Sequence, residues 1–175
     1  SALEADLRTR KHVPPKGVHW QRPDQGVLID IRNCDIIVEN LIEAGIPLRK
    51  GGRYLDFGCS SARTVRTFWG AYPEMSWAGV DPLPPSINWA KRILPEIDLH
   101  VSERWQPLTV FDDQSFDGMY ALSIWSNFSE LAAIEWLNEM HRLLKPGGFA
   151  LITCNGFSEI LNRMQIEAGK PGYLE

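Results

Sequence analysis

Two acidic residues, Asp56 and Asp81, each stand at the end of a short apolar run, Tyr54-Leu55-Asp56-Phe57 and Trp77-Ala78-Gly79-Val80-Asp81. The first run is followed by Gly58-Cys59-Ser60-Ser61-Ala62, a row of small residues, and then by Val65, Phe68 and Trp69 at helical spacing. Read locally, this is a strand, a tight turn and a helix with a carboxylate held at the carboxyl end of the strand. Small side chains let a ligand approach the backbone, and a helix N-terminus favours negative charge. In open α/β sheets the crevice outside the strand ends is where nucleotide-like ligands bind. The chemistry suggested is recognition of such a ligand, although either acid alone could equally cap a helix or shape a turn.

The elements that must hold these residues alternate along the chain. Apolar residues Val27, Leu28, Ile31, Ile37, Val38, Leu41 and Ile42 predict a helix from about Gly26 to Ala44, with Asp24 as its N-cap and Gly45 and Pro47 beyond its end. Strands are expected at Tyr54–Phe57, Trp77–Asp81, Ile97–Val101, Ser115–Leu122 and Phe149–Cys154. Between them the spacing predicts a helix after Ala62 and a second capped by Ser86 that runs to about Leu94. Ser102 to Gln114 reads as a polar loop carrying Trp105 and Phe111. Ser129 should cap a helix whose buried side is Leu131, Ile134, Leu137, Met140, His141, Leu143 and Leu144. Lys145-Pro146-Gly147-Gly148 should end that helix and turn the chain sharply. A last helix is expected over Ser158 to Ala168. Alternating strands and helices give an α/β class with an open, mainly parallel sheet and helices on both faces.

At 175 residues, the chain suits a single domain, 26–175, preceded by an arm at 1–25. In that arm Arg8, Arg10, Lys11 and Lys16 form a basic cluster beside Pro14-Pro15 and His19-Trp20. It is either a solvated arm or a lid. A hydrophobic fraction of 44% with 23% charged residues is that of an ordinary globular protein, and a net charge of −4 gives no general pull toward nucleic acid or anionic membrane. Cys34, Cys59 and Cys154 fit neither a disulfide framework nor a zinc site, so reduced thiols in the cytoplasm are expected and no metal is called for. No run approaches the ~20 apolar residues of a membrane span, and Ser1 to Lys16 lacks the apolar core of a signal peptide. Ser1 replaces a start methionine, which suggests processing or a longer parent chain.

Three ordered blocks resemble the class I S-adenosylmethionine-dependent methyltransferases, especially those acting on small molecules and glycans. They are Leu55-Asp56-Phe57-Gly58-Cys59-Ser60-Ser61-Ala62, then Gly79-Val80-Asp81, then Ser115 to Trp125 continuing to His141-Arg142-Leu143-Leu144-Lys145-Pro146-Gly147-Gly148-Phe149. The likeness covers roughly residues 50–157. It implies a Rossmann-like fold and S-adenosylmethionine as cofactor, with methyl transfer by in-line displacement to a small-molecule, lipid or sugar acceptor. By this resemblance Asp81 would accept the ribose hydroxyls. Gly58, Cys59 and Ser60 would let the backbone approach the amino acid end, and Asp56 would orient the turn or reach the amino group. Adenine would lie on Pro82 or Leu83 with Ser102 or Glu103 at its edge, and Ala121, Leu122 and Ser123 would flank the methyl group.

Departures from the family pattern carry their own expectations. Ser60 and Ala62 stand where glycines are usual, and an alanine is not expected to take a positive φ. Asn127 replaces a histidine common in relatives. The family sheet has seven strands, so the chain is expected to stop short after the fifth, with the edge covered by its own arm, a further segment or a second copy. No general base commands attention: His12, His19 and Glu130 are the candidates, and catalytic residues stay unassigned. Trp105 and Trp125 are either loop anchors or substrate platforms. Cys59 reads as a small residue, not a nucleophile. His141 reads as structural, and Asp112-Asp113 as a solvated turn. A non-catalytic, methyltransferase-like domain of a larger assembly is the alternative. A nicotinamide dehydrogenase fails because the first turn lacks Gly-x-Gly-x-x-Gly.

Overall fold

The computed structural model describes residues 26–154 together with Pro14, Val18 and Gly156. Five strands form one sheet: β1 (Arg53–Phe57), β2 (Ser76–Asp81), β3 (Asp98–Val101), β4 (Phe116–Ala121) and β5 (Leu144–Ile152). Their order across the sheet is β3-β2-β1-β4-β5 and every pair is parallel. Among the described residues the helices are α1 (Gly26–Glu43), α2 (Arg63–Ala71), α3 (Pro84–Ile93) and α4 (Glu130–Leu143), with a 3-10 turn at Trp125–Asn127.

Strand alternation divides the core into two layers. Tyr54, Trp77, Leu99 and Tyr120 point to one face, where they pack with Cys34, Ile37 and Leu41 of α1, Val65 and Phe68 of α2, and Ile87 and Ala90 of α3. Leu55, Phe57, Ala78, Val80, Met119 and Ala121 point to the other, against Trp136, Met140 and Leu143 of α4 and against Leu108 and Phe111. Runs of residues buried on both faces are what a parallel sheet covered by helices requires. The order reverses between β1 and β4, because the chain leaves β1 toward β2 and later returns to β1's other side. A ligand crevice is expected at that reversal, outside the carboxyl ends of the strands.

Several expectations need correction. The buried face of α4 is Trp136, Glu139, Met140 and Leu143, whereas Leu131, Ile134 and Leu137 are exposed and so is His141. Spacings of three and four from Trp136 describe one stripe; Leu131, Ile134 and Leu137 lie on a neighbouring one, and apolarity alone does not rank the two. Ser129 does cap this helix, accepting a bond from the Ala132 N–H (3.3 Å). Lys145-Pro146-Gly147-Gly148 does not make a separate turn. The strand begins at Leu144, and an irregularity in the β4–β5 register absorbs these residues before Phe149 pairs with Gly118. Gly118 sits inside a strand because the Phe149 ring occupies its side-chain space; a Cβ there would lie 2.3 Å from the ring.

Ser86 is not the cap of α3, which starts at Pro84 after Leu83. Its buried hydroxyl instead donates to the Val18 carbonyl (2.6 Å), so the arm meets the start of α3 at that point. Ile42 of α1 is exposed, while Cys34, Ile37 and Leu41 are buried. The side chains of Val27 and Leu28, the cap Asp24, the arm's basic cluster and the helix expected over Ser158 to Ala168 lie outside the described residues. No helix among the described residues is long and apolar enough to cross a membrane.

Candidate functional site

The carboxyl ends of β1, β2 and β4 bring most of the singled-out residues together. Gly58 and Cys59 both donate backbone N–H bonds to the Val80 carbonyl (2.9 and 3.0 Å), which folds the turn after β1 across the end of β2. Gly58 has φ 82, a conformation glycine adopts without steric cost. Cys59 is buried against Gly79, where an added Cβ would sit 2.8 Å from its sulfur. Burial, with Asp56 and Asp81 nearby, pushes the Cys59 thiol well up, in keeping with a packing residue.

Asp81 fastens this turn. One carboxylate oxygen accepts the Ser60 N–H (2.8 Å) and the other accepts the Leu83 N–H (3.0 Å). The two loops that would cradle a ligand therefore share one anionic clasp. Burial raises the Asp81 pKa and these two bonds oppose the rise. The turn-shaping and ligand-binding readings are compatible, because a carboxylate has about four lone-pair sites and the two bonds use only half of them. Ser102 donates its N–H to the Asp81 carbonyl (3.1 Å), setting the start of the β3–β4 loop beside the same strand end. Pro82 and Glu103 are exposed; Leu83 and Ser102 are half-buried.

Asp56 points to the α2 side of the sheet and is buried. Its register partner on β4 is Tyr120. Removal from water lifts the carboxyl from its ordinary value of 3.8 to about 7, against hydrogen bonding from Tyr120 and from the Val65 N–H. The contact with Tyr120 falls short of full hydrogen-bond geometry, so Asp56 Oδ2 and Tyr120 Oη both lack a partner among the described residues. Ser60 Oγ and Trp125 Nε1 share that condition. Buried polar atoms without partners carry a cost, and these four all border the ends of β1 and β4. They suit a site completed by a polar ligand.

On the β4 side Ala121 is buried, Leu122 is half-buried against the Cys59 layer, and Ser123 is exposed. Ile124 closes over Gly58: an added Cβ on the glycine would lie 2.4 Å from Ile124 Cδ1. The two halves of the crevice are thus in direct contact. Asn127 is exposed, and its amide cannot serve as a base. Its side-chain nitrogen donates to the carbonyls of Ser123 (2.9 Å) and Ile124 (3.2 Å). Trp125 packs on Phe57 and Phe128 as a loop anchor, whereas Trp105 is 74% exposed. Glu130 is exposed at the start of α4. His12, His19 and Trp20 lie outside the described residues.

Backbone strain gathers at the same place. Ser60, Ala62 and Ser123 are non-glycine residues with φ of 49, 60 and 58. The expectation that Ala62 would avoid a positive φ is corrected. Its N–H bonds the Cys59 carbonyl (2.8 Å), its side chain is fully buried, and the surrounding contacts hold the conformation. A cost of about 1–3 kcal/mol per such residue persists only where the fold over-determines it.

Sequence reasoning missed two supports. Asp30 of α1 is buried and accepts from Arg63 Nε (2.7 Å) and Arg66 Nη2 (3.0 Å), bolting α1 to the first turns of α2 just behind the glycine turn. Glu139 and Arg142 of α4 hold the β3–β4 loop: Glu139 accepts the Leu108 N–H (2.7 Å), and Arg142 pairs with Glu139 and with Asp113 while donating to the carbonyls of Leu108 and Phe111. Asp113 is therefore tied, not merely solvated. The usable signal was helical spacing, since Arg63 and Arg66, and Glu139 and Arg142, are each three apart.

Residues 55–148 match the family model described as a methyltransferase domain. Among solved structures, the chain is similar to the PH0226 protein of Pyrococcus horikoshii, with 22% identity, 77% of this chain and 59% of that one covered, and a TM-score of 0.58. It is similar to a TehB-like SAM-dependent methyltransferase of Corynebacterium glutamicum, with 22% identity, 77% and 80% covered, and a TM-score of 0.54. It is also similar to PKMT2 of Rickettsia typhi in complex with AdoHcy, with 23% identity, 72% and 26% covered, and a TM-score of 0.52. The chain spans 59% of the Pyrococcus protein's length. At these identities the structural likeness concerns the fold.

Proposed function

We propose that the chain, which belongs to the methyltransferase domain family, transfers a methyl group from S-adenosylmethionine to a small-molecule, lipid or sugar acceptor; the likeness to a protein that holds AdoHcy supports the donor. The observation that carries this reading is the Asp81 clasp, which joins the glycine turn after β1 to the β2–α3 turn, beside the reversal of sheet order between β1 and β4. When bound, S-adenosylmethionine supplies a methyl carbon activated by positive sulfur.

The chain's own work is then binding and alignment. Asp81 has lone pairs left for ribose hydroxyls. Gly58, Cys59 and Ser60 expose backbone to the amino acid end, with the start of α2 favouring its carboxylate. Asp56, unpartnered on one oxygen, orients the turn and attracts the ammonium group. Pro82 and Leu83 offer an apolar surface for adenine, with Ser102 and Glu103 at its rim. Ala121, Leu122 and Ser123 line the methyl side. In-line displacement needs nucleophile, methyl carbon and sulfur held in one line, and such positioning can supply most of the acceleration. Reduced cysteines, all three unpaired, support a cytoplasmic setting. The arm at 1–25 touches α3 through Val18 beside the proposed adenine surface, which favours a covering role for it.

Calorimetric titration of S-adenosylmethionine tests this. The chain should bind, and Asp81→Ala should weaken the affinity at least tenfold, about 1.4 kcal/mol. Failure of the unaltered chain to bind overturns the reading. An unchanged affinity in the variant removes Asp81 from the donor site.

A further inference from the structure

The turn that leaves β4 is held from β5, and nothing in the donor-site reading requires that. Ser123 has φ 58, which an L-residue keeps only when its surroundings compel it. Its N–H donates to Thr153 Oγ1 (2.7 Å), and the Thr153 N–H in turn donates to the Ala121 carbonyl (3.0 Å), continuing the β4–β5 ladder one residue past Ile152. Asn127 secures the far side through its bonds to the Ser123 and Ile124 carbonyls, and its own N–H bonds the Ile124 carbonyl (2.9 Å). The turn so fixed sets Ile124 directly on Gly58 and Trp125 against Phe57, 5.8 Å between ring centroids. A continuous path of contacts therefore runs from the Thr153 hydroxyl, through Ser123 and Ile124, to the glycine turn.

We propose that Thr153 is a positioning residue for the methyl donor, acting through the Ser123–Asn127 turn that it locks over Gly58. The inference rests on the donor-site reading and adds a residue from β5 to it. Without the hydroxyl acceptor, Ser123 is free to relax toward an ordinary φ. The binding-competent turn then becomes a fraction of the population, and the apparent affinity falls by that fraction. Valine matches the shape of threonine without accepting a hydrogen bond, whereas serine keeps the acceptor, so the pair isolates the hydroxyl from the packing.

The test is calorimetric titration of S-adenosylmethionine into the unaltered chain, Thr153→Val, Thr153→Ser and Asn127→Ala, with the Ser123 backbone amide resonance of isotope-labelled protein as a local readout of the turn. Thr153→Val should weaken binding about threefold to tenfold and shift the Ser123 amide resonance of the unliganded protein, whose hydrogen bond it removes. Thr153→Ser should restore both to near the original values. Asn127 is exposed, so Asn127→Ala leaves the core intact; it should weaken binding in the same direction, and it keeps the test decisive if the valine variant does not fold. Equal affinity in Thr153→Val and the unaltered chain overturns the inference, and so does an equal loss in Thr153→Val and Thr153→Ser. If the unaltered chain does not bind, the donor-site reading itself fails, which is a separate outcome.

Discussion

Asp56 sits where burial and ligand chemistry pull its proton in opposite directions. Burial lifts its pKa from 3.8 to about 7, so the folded chain keeps a proton that the unfolded chain has already released. Between about pH 4 and 7 the unfolded state therefore binds fewer protons, and the Asp56 contribution makes stability fall as pH rises, levelling off above 7. Asp56→Asn, close in shape but unable to ionise, should gain on the unaltered chain between pH 5 and 7.5 by on the order of 2 kcal/mol. Urea unfolding at a series of pH values checks this; a stability difference that does not change with pH would contradict it. The sequence placed Asp56 and Asp81 at strand ends because an acid interrupting an apolar run is conspicuous. It did not tell that Asp81 would fasten two turns, since that depends on where the backbone N–H groups of Ser60 and Leu83 end up.

At the scale of elements, the Asp30–Arg63–Arg66 cluster decides whether α1 stays on the sheet. Its side chains are almost fully withdrawn from water, at 3%, 11% and 2% exposure. Removing one partner from a buried ion cluster typically costs about 3–5 kcal/mol, and Asp30→Ala should destabilise the chain by that amount in urea unfolding. A loss below about 1 kcal/mol would mean that apolar packing of Ile37 and Leu41 alone secures α1. Such clusters are hard to read from sequence, where Arg63 and Arg66 look like the wet side of an amphipathic helix. The same ambiguity misassigned Leu131, Ile134 and Leu137 to the core, because α4 carries two apolar stripes and only the sheet selects the one containing Trp136. Strand positions were legible from apolar runs. The start of β5 at Leu144 was not, since Pro146 and two glycines signal a turn locally while the β4 register overrides them.

Across the described residues of the molecule, two helix layers and a sheet that reverses order between β1 and β4 bring strand-end residues from β1, β2 and β4 together. The alternation of strands and helices made that architecture legible, and the ordered motifs made the family legible. The acceptor was not, because neither a periodicity nor an ordered motif of the sequence marks residues for it. The donor is proposed to lie at these strand ends, with Asp81 at its ribose and Gly58 beneath its amino acid end. A crystal structure of the chain with S-adenosylhomocysteine tests it most directly. The ribose hydroxyls should lie within hydrogen-bond distance, ~3 Å, of the Asp81 carboxylate, with the amino acid end over the Gly58–Ser60 turn. A ligand bound elsewhere on the molecule, with Asp81 contacting only Ser60 and Leu83, would contradict it.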